Sequence, residues 1–371
     1  MVNEFIDPFG LWKQGIFSGM PPPNIDYLPP KTTFPARIGF IGCDDEAYQI
    51  LTAYMRADYD VVAISDPNLA TAKTIRDTFY PGAKVYADYR DLLADSSVNI
   101  VDVSNSMMGR LPLLENCLRA GKHVLSQKYF VDDLDKGEAL VRIAKEYGVK
   151  FAVNQDARWV PAYRYARNLI HDGYIGKITS VNFLAIWNHN YVKGTPLEEQ
   201  KYCLPLFGQS WFDLLNMLMD HKPAQKVFAS LTESPDQVVK PPLLMHSLVQ
   251  YEHAQSSISL QGDSADFGMD AVVILGDEGV ILSDGAERGE QDLWFVSRKK
   301  VCKPHLEGDW LPGGFHGSMA EFIKAIEDGV EPENSAENVL GSLALCFAAI
   351  ASSEMGRTYS PGEHGARKIG G

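Results

Sequence analysis

Arg37-Ile38-Gly39-Phe40-Ile41-Gly42-Cys43-Asp44-Asp45-Glu46-Ala47 constrains the fold more than any other stretch. A short apolar run, a glycine turn and the opening of a helix follow without a gap. In that order a strand delivers a pyrophosphate to the exposed N–H groups of a helix N-terminus, which is the logic of the G-x-G-x-x-G/A dinucleotide fingerprint. Gly42 fills the first glycine position and Ala47 the third. The second, where backbone must approach phosphate closely, is Asp44. A carboxylate there competes with phosphate for one anion site, so the fingerprint predicts NAD binding through Gly42, Cys43 and Asp44 that Asp44 weakens, or NAD binding lost altogether.

The rest of the chain supports two domains. From 36 to 153, apolar runs at 38–41, 61–64, 98–103, 123–125 and 149–153 alternate with helical patterns at 46–57, 70–79, 110–120 and 135–147. Near-continuous apolar strands between helices imply a parallel sheet covered on both faces. Beyond a helical stretch at 162–171 the pattern becomes alternating: 177–187, 243–252, 255–261, 271–276, 279–283 and 292–297. Gly276-Asp277-Glu278-Gly279 marks a hairpin, and helices at 317–328 and 336–354 follow, the second with Ser335 as N-cap. The expected fold is α/β: a proline-rich arm over 1–35, a Rossmann-type parallel sheet over 36–155, and an α+β domain with an open, mostly antiparallel sheet over 156–371. An open face carrying aromatics predicts a subunit interface, hence a homo-oligomer. The arm holds Pro21-Pro22-Pro23 and the aromatics Phe5, Phe9, Trp12, Phe17 and Tyr27. It reads as a segment lying on its own or a neighbouring subunit, or else as a mobile tail.

A formal charge of −14 with no basic segment argues against nucleic acid or an anionic membrane as partner. Five widely spaced cysteines offer no metal-ligand spacing and point to a reducing, cytoplasmic compartment. No secretory signal and no uninterrupted apolar run of membrane-spanning length are read. Asp66, 24 residues after Gly42 in Ile64-Ser65-Asp66-Pro67, has the spacing of a carboxylate that accepts from a ribose 2′-OH and repels a 2′-phosphate; the alternative is a solvated loop aspartate.

Gly121-Lys122-His123-Val124-Leu125-Ser126-Gln127-Lys128-Tyr129, taken with the fingerprint and Asp66, resembles the glucose–fructose oxidoreductase/inositol dehydrogenase (Gfo/Idh/MocA) family. Asn154-Gln155-Asp156-Ala157-Arg158-Trp159, Asp172-Gly173-Tyr174-Ile175-Gly176-Lys177, Trp187-Asn188-His189-Asn190 and Gly314-Phe315-His316-Gly317 extend the resemblance to about 360, toward members acting on sugars and glycosides. The resemblance implies an NAD-dependent oxidoreductase acting at a carbinol carbon of a sugar, polyol or glycoside. The family's catalytic lysine becomes Lys128. Ser104 and Gln127 lie on the cofactor side, and Arg158, Trp159, Asn188 and Ser210 on the substrate side. The family's Glu-Lys-Pro is Gln127-Lys128-Tyr129 here, its Thr-Pro is Asn105-Ser106, and its D-x-x-x-H falls on Leu206 and Ser210. Serine is a poor general base, and a lost base costs about 10²–10⁴ in rate. His189, Lys128 or His316 would have to substitute, though His189 reads equally as a hydrogen-bonded structural histidine. The alternative is a catalytically silent relative: a sensor, or a non-catalytic subunit beside an active homologue. No metal site is read.

Overall fold

The computed structural model describes residues 18–104, 109–235 and 237–369. The first half of the arm and Asn105-Ser106 lie outside the described residues.

The chain enters on a two-residue strand, β1 (Ser18–Gly19), and runs as a strap to β2 (Arg37–Ile41). A parallel β-α alternation follows: α1 (Asp45–Arg56), β3 (Asp60–Ser65), α2 (Leu69–Phe79), β4 (Lys84–Tyr86), α3 (Tyr89–Ala94), β5 (Ile100–Val103), α4 (Arg110–Arg119), β6 (His123–Ser126), α5 (Leu134–Glu146) and β7 (Phe151–Val153). These strands form a six-stranded sheet in the order β4-β3-β2-β5-β6-β7 with every pairing parallel. The reversal of strand order beside β2 places Gly42, Ser104 and Gln127 at neighbouring strand ends, where such sheets bind ligands. Only β4 and α3 escape the sequence pattern, because three residues and one and a half turns are too short to show a period.

The turn Asp156–Trp159 and α6 (Pro161–His171) lead to β8 (Ile178–Ile186). Then come α7 (Cys203–Phe207), α8 (Gln209–Leu218), β9 (Lys226–Thr232), β10 (Leu244–Gln250), β11 (Gln255–Gln261), β12 (Met269–Gly276), β13 (Gly279–Gly285), β14 (Asp292–Ser297), β15 (Lys300–Cys302), α9 (Gly313–Asp328) and α10 (Ala336–Met355). The second sheet runs β1-β15-β14-β13-β12-β8-β11-β10-β9; β8 with β11 and β1 with β15 are parallel, and all other pairs antiparallel. One face packs on α6, α8 and α10. The other exposes Leu184, Phe228 and Leu248. An antiparallel bridge between Val227 and Tyr359 covers the outer side of β9.

α9 returns to the first domain. Phe315, Met319, Phe322 and Ile323 share a core with Ile50, Leu51 and Tyr54 of α1. Ser335 caps α10 by accepting from the amide of Asn338. Among the described residues α10 is the helix long and apolar enough to cross a bilayer, yet most of it is buried in the protein core.

The described part of the arm is fixed at several points. Tyr165 Oη donates to the Pro23 carbonyl (2.7 Å) and Asn168 Nδ2 to that of Asp26 (2.6 Å). The Thr33 amide donates to Glu327 of α9 (3.0 Å). Asn99 Nδ2 of the first domain donates to the Pro35 carbonyl (2.9 Å), so this strap touches both domains.

Candidate functional site

At the end of β2, Gly42 adopts φ +100°, a conformation that only glycine takes without strain, and its amide donates to the Ser65 carbonyl. The next amide, Cys43 N–H, donates to Asp66 Oδ2 (2.9 Å), while Asp66 Oδ1 accepts from Asn68 N–H (2.7 Å). Asp66 thus closes on the glycine turn that it serves. Asp44 occupies the N-cap position of α1, but its side chain makes no capping hydrogen bond, contrary to the expectation that it fills the anion site as a cap. Partial burial raises its carboxyl above the usual range, opposed by the amides of Ala47 and Glu46, which face it without capping geometry, and by Arg110.

Beneath this turn lies a residue with no signature in the sequence. Asp102, in the middle of β5, is fully buried and accepts from Tyr54 Oη (2.5 Å), and its other oxygen has no partner among the described residues. Burial pushes its carboxyl up to about 7, with Glu46 and Asp44 adding to the effect. Arg110 opens α4, where a cation opposes the helix dipole and so needs anchoring elsewhere. Its guanidinium donates to the carbonyls of Gln127 (2.9 Å) and Tyr129 (3.1 Å), bracing the turn that carries Lys128.

Three consecutive strand ends present buried polar groups with no protein partner among the described residues: Ser104 Oγ after β5, the Gln127 amide after β6, and the Asn154 amide after β7. Buried amides are satisfied in nearly all folded proteins. This row fits a ligand carrying carboxamide and ribose groups, so the residues accommodate NAD(H) at its nicotinamide end. At the pyrophosphate end, Asp44 and Glu46 oppose it.

Lys128, the residue after Gln127, lines a cleft of about 1010 Å³ between the two domains, together with Glu46, Tyr129, Asp156, Leu206, Ser210 and Trp310 among others. Lys128 Nζ pairs with Asp156 Oδ1, and Trp310 Nε1 donates to Asp156 Oδ2 (2.8 Å). Asp156 is buried; desolvation alone would raise its carboxyl, but Lys128, Trp310 and Arg288 hold it below the usual range. The Lys128–Tyr129 peptide is trans; the one cis bond among the described residues is Leu311–Pro312. Leu206 and Ser210, four residues apart across the α7–α8 junction, face the same cleft as Lys128.

Other expected site residues lie elsewhere. Arg158 is a core residue: its Nε and Nη2 donate to Asp213 (2.6 and 2.8 Å) and its Nη1 to the Glu333 carbonyl (2.7 Å), leaving nothing for a substrate. Trp159 packs under α9 and borders a separate cavity of about 260 Å³ with His316, whose Nδ1 meets Tyr59 Oη (3.0 Å). Asn188 caps a local turn, accepting from Asn190 N–H (3.0 Å) outside the cleft. His189 lines the cleft but is buried, and both ring nitrogens are engaged. Nδ1 accepts from Trp187 Nε1 (3.1 Å), which leaves the proton on Nε2, directed at Cys203 Sγ (3.3 Å). Burial lowers its pKa to about 4, so it stays neutral and held in place. Asp156, Trp310, Arg110 and Asp102 are the residues the sequence reading missed. Arg110 carried a signal as a cation at a helix start on the cofactor side, and Asp156 by lying within the motif at 154–159.

A parallel sheet with a glycine turn, unpartnered amides at its strand ends and a lysine-bearing interdomain cleft define a two-domain protein of the nucleotide-binding Rossmann class. Residues 36–155 match the model of the oxidoreductase family with an NAD-binding Rossmann fold. The first domain, residues 36–155, is thus of the Gfo/Idh/MocA type. It is 30% identical over 153 residues to a dTDP-3,4-didehydro-2,6-dideoxy-alpha-D-glucose 3-reductase of Actinomadura kijaniata, an alignment covering 41% of this chain and 46% of that protein. The match to the galactose/lactose metabolism regulatory protein of Saccharomyces cerevisiae is 24% over 160 residues, 40% of this chain and 37% of that protein. The chain thus aligns with less than half of each of these relatives. The structure of a levoglucosan dehydrogenase in complex with NADH and levoglucosan superposes with a TM-score of 0.72 at 18% identity, over 88% of this chain and all of that one.

Proposed function

We propose that this protein is an NAD-dependent oxidoreductase that moves hydride between the cofactor and a carbinol carbon of a sugar, polyol or glycoside. The observation that carries this reading is Lys128 held by buried Asp156 in the interdomain cleft, beside the unpartnered amides of Gln127 and Asn154. NAD(H), when bound, supplies the hydride acceptor or donor. The chain's own part is to hold the substrate oxygen at Lys128 Nζ, whose positive charge stabilises that oxygen as an alkoxide. Asp156, kept anionic by Lys128, Trp310 and Arg288, fixes the position of Nζ. In the reductive direction the Lys128 ammonium gives a proton to the alkoxide and becomes the amine, and in the oxidative direction that neutral amine takes the hydroxyl proton, since Leu206 and Ser210 provide no imidazole and His189 has no free nitrogen. Asp66 at the glycine turn favours NAD over its 2′-phosphorylated form. Five buried, unpaired cysteines support a reducing, cytoplasmic setting, and the open sheet face supports a homo-oligomer.

A second reading, a sensor or a non-catalytic subunit of a complex with an active homologue, is favoured by the closure of Asp66 on Cys43 N–H and by the carboxylates of Asp44 and Glu46 at the phosphate end. Calorimetric titration with NAD and NADH, followed by turnover assays on sugars and polyols, separates the two. The oxidoreductase reading expects binding, and turnover that falls by about 10² or more in Lys128→Ala with folding intact. Binding without turnover on any substrate of the class favours the sensor. Undiminished turnover in Lys128→Ala removes the lysine from the mechanism.

A further inference from the structure

We propose that the site continues past Lys128 into a second subsite that takes another sugar ring, which makes the substrate disaccharide-sized; this rests on the carbohydrate reading above. A cavity of about 440 Å³ adjoins the cleft, and Phe207, Arg288 and Trp310 line both spaces. Its wall is a rigid stack. Trp187 lies on Trp211 with ring centroids 5.3 Å apart and planes 18° from parallel. The Arg288 guanidinium sits 4.1 Å from the centre of Trp211 and 5.0 Å from that of Trp310, and Arg288 Nε donates to Asp270 (3.2 Å). Trp310 is also the residue that donates to Asp156, so one layered assembly joins the partner of Lys128 to the second cavity.

Two aromatic side chains at this cavity face solvent, Phe207 at 47% exposure and Phe267 at 56%. Apolar surface left open beside a polar cleft marks a place for a ligand. The opening also carries the exposed carboxylates of Asp266 and Glu287. A pyranose ring matches this combination, with C–H faces for the aromatic surfaces and equatorial hydroxyls to donate to the carboxylates. A purely aromatic aglycone would use Phe207 and Phe267 but leave two carboxylates beside it without donors. The route from Lys128 to the cavity passes Phe207 and Trp310, which places the glycosidic linkage between them.

The test is calorimetric titration of the full-length protein with glucose and galactose, with cellobiose, maltose and lactose, and with phenyl β-glucoside, for wild type and Phe267→Ala. Phe267 lines the second cavity and not the cleft with Lys128. The expected result is a disaccharide that binds roughly tenfold more tightly than its component monosaccharides, the effect of about one stacked ring. Phe267→Ala should erase that margin while leaving monosaccharide affinity unchanged and the circular dichroism spectrum intact. Monosaccharide binding with no disaccharide margin overturns the subsite alone. So does an equal loss for both sugar classes in Phe267→Ala. Phenyl β-glucoside binding more tightly than every disaccharide overturns the second ring in favour of an aryl group. Failure of every sugar to bind overturns the carbohydrate reading, and the subsite with it.

Discussion

Asp44 and Asp102 sit above and below the same glycine turn and are governed by different physics. Asp44 is exposed to water and makes no capping bond, so its effect on a bound pyrophosphate is Coulombic and screened. Like charges about 4 Å apart repel by about 4 kcal/mol at an effective dielectric near 20, and exposure reduces this to roughly 1–2 kcal/mol. Asp44→Gly should tighten NAD binding about tenfold by calorimetry. The stability of the unliganded protein should change by no more than a few tenths of a kcal/mol, because no cap is lost. Unchanged affinity would show that Asp44 turns away from the phosphates. Asp102 is sealed from water, and its carboxyl is raised from the ordinary range to about 7. A group whose folded-state pKa is raised contributes stability that is fully present below about pH 4 and lost as pH climbs to 7. Wild type should therefore lose on the order of a few kcal/mol relative to Asp102→Asn between pH 4 and 7, and nothing further above 7. Urea midpoints of the two proteins across that range are the measurement; parallel curves would mean that Asp102 does not titrate there.

At the scale of elements, the position of Asp156 depends on how closely α9 can lie on the turn Asp156–Trp159. A Cβ at Gly317 would come within 2.3 Å of the Trp159 ring, and one at Gly314 within 2.6 Å of the Asp156 carbonyl oxygen. In an open helix Gly→Ala gains about 1 kcal/mol. At Gly317 the clash should reverse the sign, destabilising by about 1–3 kcal/mol in chemical denaturation and lowering turnover through displaced Asp156. A stabilised Gly317→Ala protein would show that the helix has room to spare. This contact also marks where the sequence stops being readable. The βαβ alternation, the glycine turn and the hairpin are local patterns, and they predict most of the strands, though not β1, β4, β9 or β15. The Gln127-Lys128 turn and the Leu206/Ser210 spacing are local as well. The partnership of Lys128 with Asp156 and Trp310 joins residues 28 and 182 positions away, and no periodicity encodes it. Arg158 misled for the same reason: a charged residue in a motif looks like a ligand contact until Asp213, from another helix, is seen to claim it.

For the whole molecule, the open face of the second sheet leaves apolar side chains exposed. Leu248 lies directly across from Phe228, with Leu184 nearby on the same side. If this face joins two copies, Leu248→Glu should convert a dimer to a monomer in sedimentation velocity while leaving each copy folded. A wild-type monomer at micromolar concentration would refute the interface.

The rims of that sheet carry a different consequence. β1, brought round by the proline strap, covers β15 at one end, and the Val227–Tyr359 bridge covers β9 at the other. An uncovered outermost strand is a template on which further chains can add without limit. Here the two-residue β1 and a single bridge cover part of each rim, and if the flat side left over joins two copies, one twofold partner uses it up. In that arrangement growth of the assembly would terminate by geometry at a small, fixed copy number. Partial cover of this kind disfavours strand addition, and cutting the strap before Arg37 should remove it from one end of the sheet.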